Sequence, residues 1–306
     1  MIMTGKVFLA FIWTFWLIAS GSVVEGTDNV TIYNPTYGST YDRVVKRGYL
    51  ICGTNDEFPG FSEEVWSDEH GNVWTGFDVD ICRAVAAAIF GDANAIEYVV
   101  VNGKTRFEFL IDGSIDMLSA ATTFTFTRNV QKNLEFLPTT YYDGQGFIVR
   151  KTLGVSSAKQ MEGARICFSG SGTAAKNIAD FMKLHGINYI PVDVPPNQKT
   201  RDVYKKGDCD MYGTDRSGLA SNRLSFDDPE RHMILPEIIS KEPLGPVVRY
   251  GDQKWSDIVR WTVYVLFIAE EMGKNPQFKT PVVESGGSSV GKKGVCAVSY
   301  THLPLP

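Results

Sequence analysis

Histidine is scarce in this chain. The four present, His70, His185, His232 and His302, are scattered. None stands at a spacing from a carboxylate or cysteine that would build a metal site or a Ser-His-Asp relay. Cysteine is nearly as sparse: Cys52, Cys82, Cys167, Cys209 and Cys296 fit no zinc-ligand pattern. Basic runs are missing and the net charge is −5, which argues against a nucleic-acid partner. After the first segment no stretch is long and apolar enough to span a bilayer. Paired acids and other recognisable catalytic constellations are absent too, so catalysis has no obvious carrier.

What is present starts with a leader. Lys6 precedes the apolar run Val7–Ala19, and the small residues Ala19-Ser20-Gly21-Ser22 follow. A positive start, a short apolar core and a small-residue end predict a secretory signal over 1–26, with an exported, soluble mature protein. A membrane anchor is the alternative. In an oxidising compartment cysteines pair. Two fall in the N-terminal half and two in the middle, which favours Cys52–Cys82 and Cys167–Cys209. The other reading is small buried apolar residues.

With 306 residues, 43% of them hydrophobic, the chain is long enough for two modest domains. A short helix ends at Gly48, and Tyr49–Cys52 reads as a buried strand. A loop, Gly53–Phe61, and a polar turn, Glu63–Asn72, follow. Phe77, Ile81, Ala84, Val85, Ala88 and Ile89 predict a helix over Phe77–Phe90, with Asp78 and Asp80 capping its start. Strand Ile96–Val101, helix Lys104–Leu110 and strand Ile115–Ser119 complete a β-α-β-α-β rhythm, the pattern of a parallel-rich sheet flanked by helices. The rhythm restarts with helix Ser157–Met161, strand Ala164–Ser169, helix Thr173–Leu184, strand Ile187–Val192, a helix over Lys199–Lys206 and strand Asp210–Tyr212. The two α/β units are joined through Thr139–Val149, whose Gly144 and Gly146 suit a hinge. A second crossing is expected over Ser240–Gly245. A long helix, Trp255–Met272, then returns to the first unit.

Three segments carry chemistry. Gly170-x-Gly172-x-x-Ala175 follows a strand and opens a helix, with Asp193 further on, which matches a dinucleotide fingerprint. The same glycine-rich turn can instead bind a carboxylate, with Thr173 adding a hydroxyl or merely capping the helix. Arg128 follows four threonines, Thr122, Thr123, Thr125 and Thr127. Asp215 ends a short strand. Arginine, carboxylate and hydroxyls together are what gripping a free amino acid requires. The plain alternatives are a surface arginine and a helix N-cap. Phe61, on a glycine-flanked loop, either stacks on a ligand or packs in the core.

From Arg47 through Gly273 the chain resembles the periplasmic amino-acid-binding proteins of ABC transporters, solute-binding family 3, general or polar L-amino-acid class. The resemblance rests on Trp74–Ala84, Tyr141–Phe147 and Leu235–Pro246. It implies a type II periplasmic-binding-protein fold: lobe 1 over 27–143 and 245–273, lobe 2 over 144–244, two hinge crossings and a ligand in the cleft. It further implies that Arg128 clamps the ligand carboxylate and Asp215 takes the ammonium. Thr123, Gly172 and Thr173 donate to polar groups, and Ala121 and Phe61 lie at the ligand. The expected partners are a free L-amino acid (Glu, Asp, Gln, Asn or broader) and a membrane permease. The expected protein is a monomer without cofactor or metal, not an enzyme. A nucleotide-binding oxidoreductase domain is the alternative.

The chain departs from this family in three places. Ala120-Ala121 stands where the family has Arg-Asn, and Arg216 where it commonly has Gln. If Arg216 faces the cleft, it restores the missing charge and favours acidic ligands. The match ends after Gly273. The segment 274–306 reads as a non-native or disordered tail, with Val298–Leu303 resembling translated sequencing adapter.

Overall fold

The structure is a computed structural model and describes residues 39–68 and 71–274. The predicted leader, most of the predicted tail and Cys296 lie outside them.

Helix α1, Thr40–Arg47, is capped by the Ser39 side chain and closed by Gly48 at φ 89°. It leads into β1, Leu50–Thr54. Next come β2, Glu57–Phe58, β3, Ser62–Ser67, and β4, Gly71–Thr75, an antiparallel three-stranded sheet. This replaces the expected turn over Glu63–Asn72. One face of such a hairpin is wet, so its sequence looks polar; Val65 pairs with Val73 while Trp66 stays exposed.

Helix α2, Phe77–Phe90, has the predicted bounds and ends at Gly91, φ 69°. Then follow β5, Ile96–Val100, α3, Thr105–Asp112, β6, Met117–Leu118, and β7, Leu134–Phe136. The chain crosses through β8, Tyr141–Asp143, into β9, Gln145–Arg150. The second unit adds β10, Arg165–Ser169, α4, Ala174–His185, β11, Ile190–Val194, α5, Thr200–Lys206, β12, Met211–Asp215, α6, Arg216–Leu224, and β13, His232–Ile234. The expected helix over Ser157–Met161 is a single tight turn, Ala158–Gln160, closed by a capping box. The return runs through β14, Glu242–Leu244, and β15, Val247–Arg249, to α7, Gln253–Glu271.

Two five-stranded sheets result, ordered β5-β1-β6-β15-β7 and β11-β10-β12-β9-β13. In each, one strand runs against the others: β15 in the first and β9 in the second. Each reversed strand is the one that has just arrived from the other lobe. The two crossing strands, β8 and β14, pair antiparallel as a ribbon, Glu242 opposite Asp143. This gives the type II two-lobed fold.

Apolar clusters cover both faces of each sheet. Leu50, Val85, Met117, Trp255 and Val259 fill one face of the first sheet, and Leu110, Ile115, Leu118 and Leu134 fill the other. Phe147, Ile166, Ile178 and Met211 oppose Ile148, Tyr204, Tyr212 and Leu219 across the second. Each lobe carries one disulfide. Cys52 of β1 bonds to Cys82 of α2, and Cys167 of β10 bonds to Cys209, with Cα atoms 6.3 and 5.8 Å apart. Closing loops of 30 and 42 residues is worth about 3–5 kcal/mol each in the chain-entropy picture. No helix among the described residues is long and apolar enough to cross a membrane.

Gly144 and Gly146 sit at the first crossing for a reason of space rather than of torsion. A Cβ on Gly144 would press to 2.5 Å from the Ile238 side chain and 2.8 Å from the Ser240 carbonyl. The backbone at Gly144 therefore lies directly against the Ile238 side chain and the Ser240 carbonyl.

Candidate functional site

Asp78 organises the first wall. It lies in the opening turn of α2, where a cap was expected, but the cap position belongs to Gly76. Its carboxylate is 4% exposed and turns inward instead. It accepts from Ser119 Oγ at 2.8 Å and from the Ala121 N–H at 2.7 Å. Burial outweighs these hydrogen bonds and pushes its carboxyl up to about 6. Asp80 pairs with Arg83 three residues on.

The loop so held is stitched to the second crossing. Phe124 N–H donates to the Pro243 carbonyl, Gly245 N–H to that of Thr122, and Thr123 bridges Leu244. The loop then enters a π-turn, Thr127–Gln131, a geometry often found at functional sites. That turn aims Arg128 inward. The residue is 8% exposed, its Nη1 donates to the Thr123 carbonyl at 2.7 Å, and its guanidinium lies over the Phe107 ring. Burial lowers its pKa, while the carboxylates of Glu242 and Asp215 oppose the shift. Arginine stays charged regardless.

The second wall is built on the N-terminus of α4 and the end of β12. Thr173 occupies the cap position without making a capping bond; its Oγ1 donates to Glu242 at 3.4 Å. Glu242, in β14, also accepts from Asn177 Nδ2 at 2.7 Å and Ser240 Oγ at 2.8 Å. Asn177 further donates to Gln145. This network ties both crossings to α4. Asp215 is half-buried beside Glu242 and Asp143. Burial and those two carboxylates push it up to about 7, against the pull of Arg106 and Arg128.

Between the walls lies a cavity of about 160 Å³. Arg128, Thr123, Ala121, Gly172, Thr173 and Asp215 all line it. Phe61 does not. Its ring packs on Phe58, Phe77 and Tyr141 and is half-buried there. A second compartment of about 300 Å³ shares Gly103, Ser169, Thr200, Tyr212 and Thr214 with the first, and adds Asn55, Asp56, Asn102 and Asn222. The walls approach closely at the mouth, where a Cβ on Gly103 would collide with the Ser171 side chain.

Arg106 of α3 also lines the cavity and is absent from the sequence-derived set. One signal for it existed. A cation in the first turn of a helix opposes the macrodipole and calls for another reason to be there. Arg216 is not among the lining residues. Its Nη1 donates to the carbonyls of Leu235 and Glu237, and its stem packs on Gly146. The expectation that it restores charge at the cleft therefore fails.

The acid of the nucleotide reading folds back on its own turn. Asp193 accepts the Gly170 N–H at 2.8 Å, so close that any Cβ on Gly170 would strike its carboxylate. One carboxylate oxygen is thereby committed to the turn's own backbone. Among the described residues no cluster of three or more His, Cys, Asp or Glu side chains could hold a metal ion.

Known proteins are similar to this chain in sequence and fold. The glutamate/glutamine/aspartate/asparagine-binding protein of Rhodobacter capsulatus is 48% identical over 235 residues, 77% of this chain and 68% of the relative. The general L-amino acid-binding periplasmic protein of Rhizobium johnstonii matches to the same extent, 48% over 235 residues, 77% of this chain and 68% of its own. Among solved structures, a periplasmic binding protein of an ABC transporter from Brucella ovis, with glutathione bound, is 42% identical. It superposes with a TM-score of 0.73 over 78% of this chain and 73% of its own. A cysteine-binding protein from Campylobacter jejuni, at 21% identity and a TM-score of 0.64 over 78% of this chain and 91% of its own, shares the fold. The model of one family spans residues 50–280, and the chain accordingly belongs to the bacterial extracellular solute-binding proteins, family 3.

Proposed function

We propose that this chain is the substrate-binding component of an ABC transporter. It captures a free polar L-amino acid, of the glutamate, aspartate, glutamine and asparagine type or broader, and delivers it to a membrane permease. The observation that carries this reading is the placement of Arg128 and Asp215 in one small cavity. One comes from the first lobe and one from the second, and they offer opposite charges. A zwitterion touching both lobes shifts the open–closed equilibrium toward closure. The ligand carboxylate meets Arg128, the N–H groups of the Gly172-Thr173 turn and the Thr123 hydroxyl. The ammonium meets Asp215, whose ionised form it favours.

In this reading lobe 1 comprises 27–143 and 245–273, and lobe 2 comprises 144–244. The segment 1–26 directs export and is removed. The protein works in the periplasm as a monomer, by binding rather than catalysis, and without cofactor, metal or nucleic acid. The family match runs on to residue 280, past the Gly273 expected from sequence, and the residues beyond it add little.

A second reading has an observation of its own. The adjoining compartment of about 300 Å³ and the glutathione held by the Brucella ovis relative favour a small peptide whose amino-acid end fills the inner cavity. A thermal-shift screen against the twenty amino acids, glutathione and nicotinamide cofactors tests both. A ligand at 100 times its Kd adds about 2.7 kcal/mol of stability. Stabilisation by polar amino acids supports the first reading, by glutathione alone the second, and by a nicotinamide cofactor neither.

A further inference from the structure

Ala121 brings no polar side chain to the first wall, and Arg216 lies outside the cavity lining. Arg106 stands in the same cavity. It sits in the first turn of α3, and its backbone N–H donates to the Asn102 carbonyl at 3.1 Å. Its Nη1 reaches the Thr122 hydroxyl at 3.4 Å, a weak bond. Thr122 is fully buried, and its hydroxyl also reaches the Ala120 carbonyl. The Nε of Arg106 is buried and meets no acceptor. A buried guanidinium N–H without a partner is costly.

The polarity of the cavity gives that N–H a role. The lining places two guanidiniums, Arg106 and Arg128, in the first lobe against one carboxylate, Asp215, in the second. A plain zwitterion brings one carboxylate and leaves one arginine unanswered. Glu242 and Asp143 are already engaged, by Asn177, Ser240 and Thr173 and by Ser217 and the Gly144 N–H respectively. A second acceptor on the ligand fills the gap.

We propose that Arg106 is a specificity-determining residue, which binds the side-chain carboxylate or amide oxygen of the ligand while Arg128 holds its α-carboxylate. This deepens the proposed function and rests on it. Acidic side chains gain most, because a charge-assisted bond to guanidinium is about twice as strong as a neutral one. Amides gain less, and alanine or serine gain nothing at this position.

Calorimetric titration of the full chain tests it, with wild type, Arg106→Met and Arg106→Lys against L-glutamate, L-aspartate, L-glutamine, L-alanine and L-norvaline. Wild type is expected to bind glutamate at least tenfold more tightly than norvaline, which has the same length without the carboxylate. Arg106→Met is expected to lose tenfold or more for glutamate and aspartate, less for glutamine, and under threefold for alanine. Arg106→Lys retains part of the glutamate affinity. An equal loss for every ligand, or no loss for any, overturns the assignment. Should Arg106→Met fail to unfold cooperatively, the wild-type comparison decides alone, and equal affinity for glutamate and norvaline overturns it. If wild type binds no amino acid, the proposed function falls and the inference with it. If it binds them without this contrast, only the inference falls.

Discussion

The Asp78 carboxylate holds the backbone N–H of Ala121 at 2.7 Å, and Ala121 sits there with φ at +43°. A left-handed alanine is strained, and asparagine or glycine adopts this conformation more readily. The hydrogen bond from a buried acid thus stabilises a conformation that the side chain itself disfavours.

Ala121→Asn is therefore expected to stabilise the ligand-free protein by about 0.5–1 kcal/mol, and Ala121→Val to destabilise it by more than that. Urea unfolding measures both. A loss of stability in Ala121→Asn would show that the strain is not relieved by a residue tolerant of positive φ.

Asp78, which is buried, and Asp215, which is half-buried, give a pH dependence of fixed sign. Asp215 is pushed up to about 7 and Asp78 to about 6, from an ordinary value of 3.8. The folded state holds protons that the unfolded state has released. Their contribution to stability is fully present below about pH 3.8 and is lost as pH rises through about 6 and 7. Ligand binding runs the other way, since an ammonium favours ionised Asp215. Affinity is expected to rise between about pH 6 and 8, with proton release. The stability difference between wild type and Asp215→Asn, followed by urea unfolding from pH 4 to 8, is expected to fall with pH. A flat or rising difference contradicts the assigned environment of Asp215.

Some of this was legible in the sequence and some was not, for physical reasons. Helix α2 came out to the residue because its apolar period ends at a glycine, and both signals are local. The hinge strands were placed by residue type, but Gly144 is required by the nearness of Ile238 and Ser240, which no local pattern reveals. Asp78 looked like a helix cap because its true partners, Ser119 and Ala121, lie some forty residues on. Arg106 carries little local signal for the same reason, while Arg216 draws notice through its neighbour Asp215 although it turns toward Leu235 and Glu237. Phe61 carries no local signal separating ligand contact from packing, and in the structure its ring stacks on Phe58.

The close approach of Gly103 to Ser171 gives a test of closure. Gly103→Val is expected to weaken ligand binding about tenfold or more, because overpacking at this contact costs about 1–3 kcal/mol in the closed state alone. Stability without ligand should change little. Ser171→Gly in the same chain should restore part of the affinity. Full affinity in Gly103→Val, measured by calorimetry, would mean that the lobes do not meet there when ligand is bound.

The most direct measurement is isothermal titration of L-glutamate, L-glutamine and L-alanine into wild type, Arg128→Ala and Asp215→Ala, each first checked for cooperative thermal unfolding. Removing one partner of a buried charge pair costs about 3–5 kcal/mol, and each 1.4 kcal/mol is tenfold in affinity. Both variants are expected to lose at least about a hundredfold in affinity for every amino acid that wild type binds, because they act on the backbone all ligands share. Near wild-type affinity in either folded variant would contradict the assignment of the cavity as the amino-acid grip.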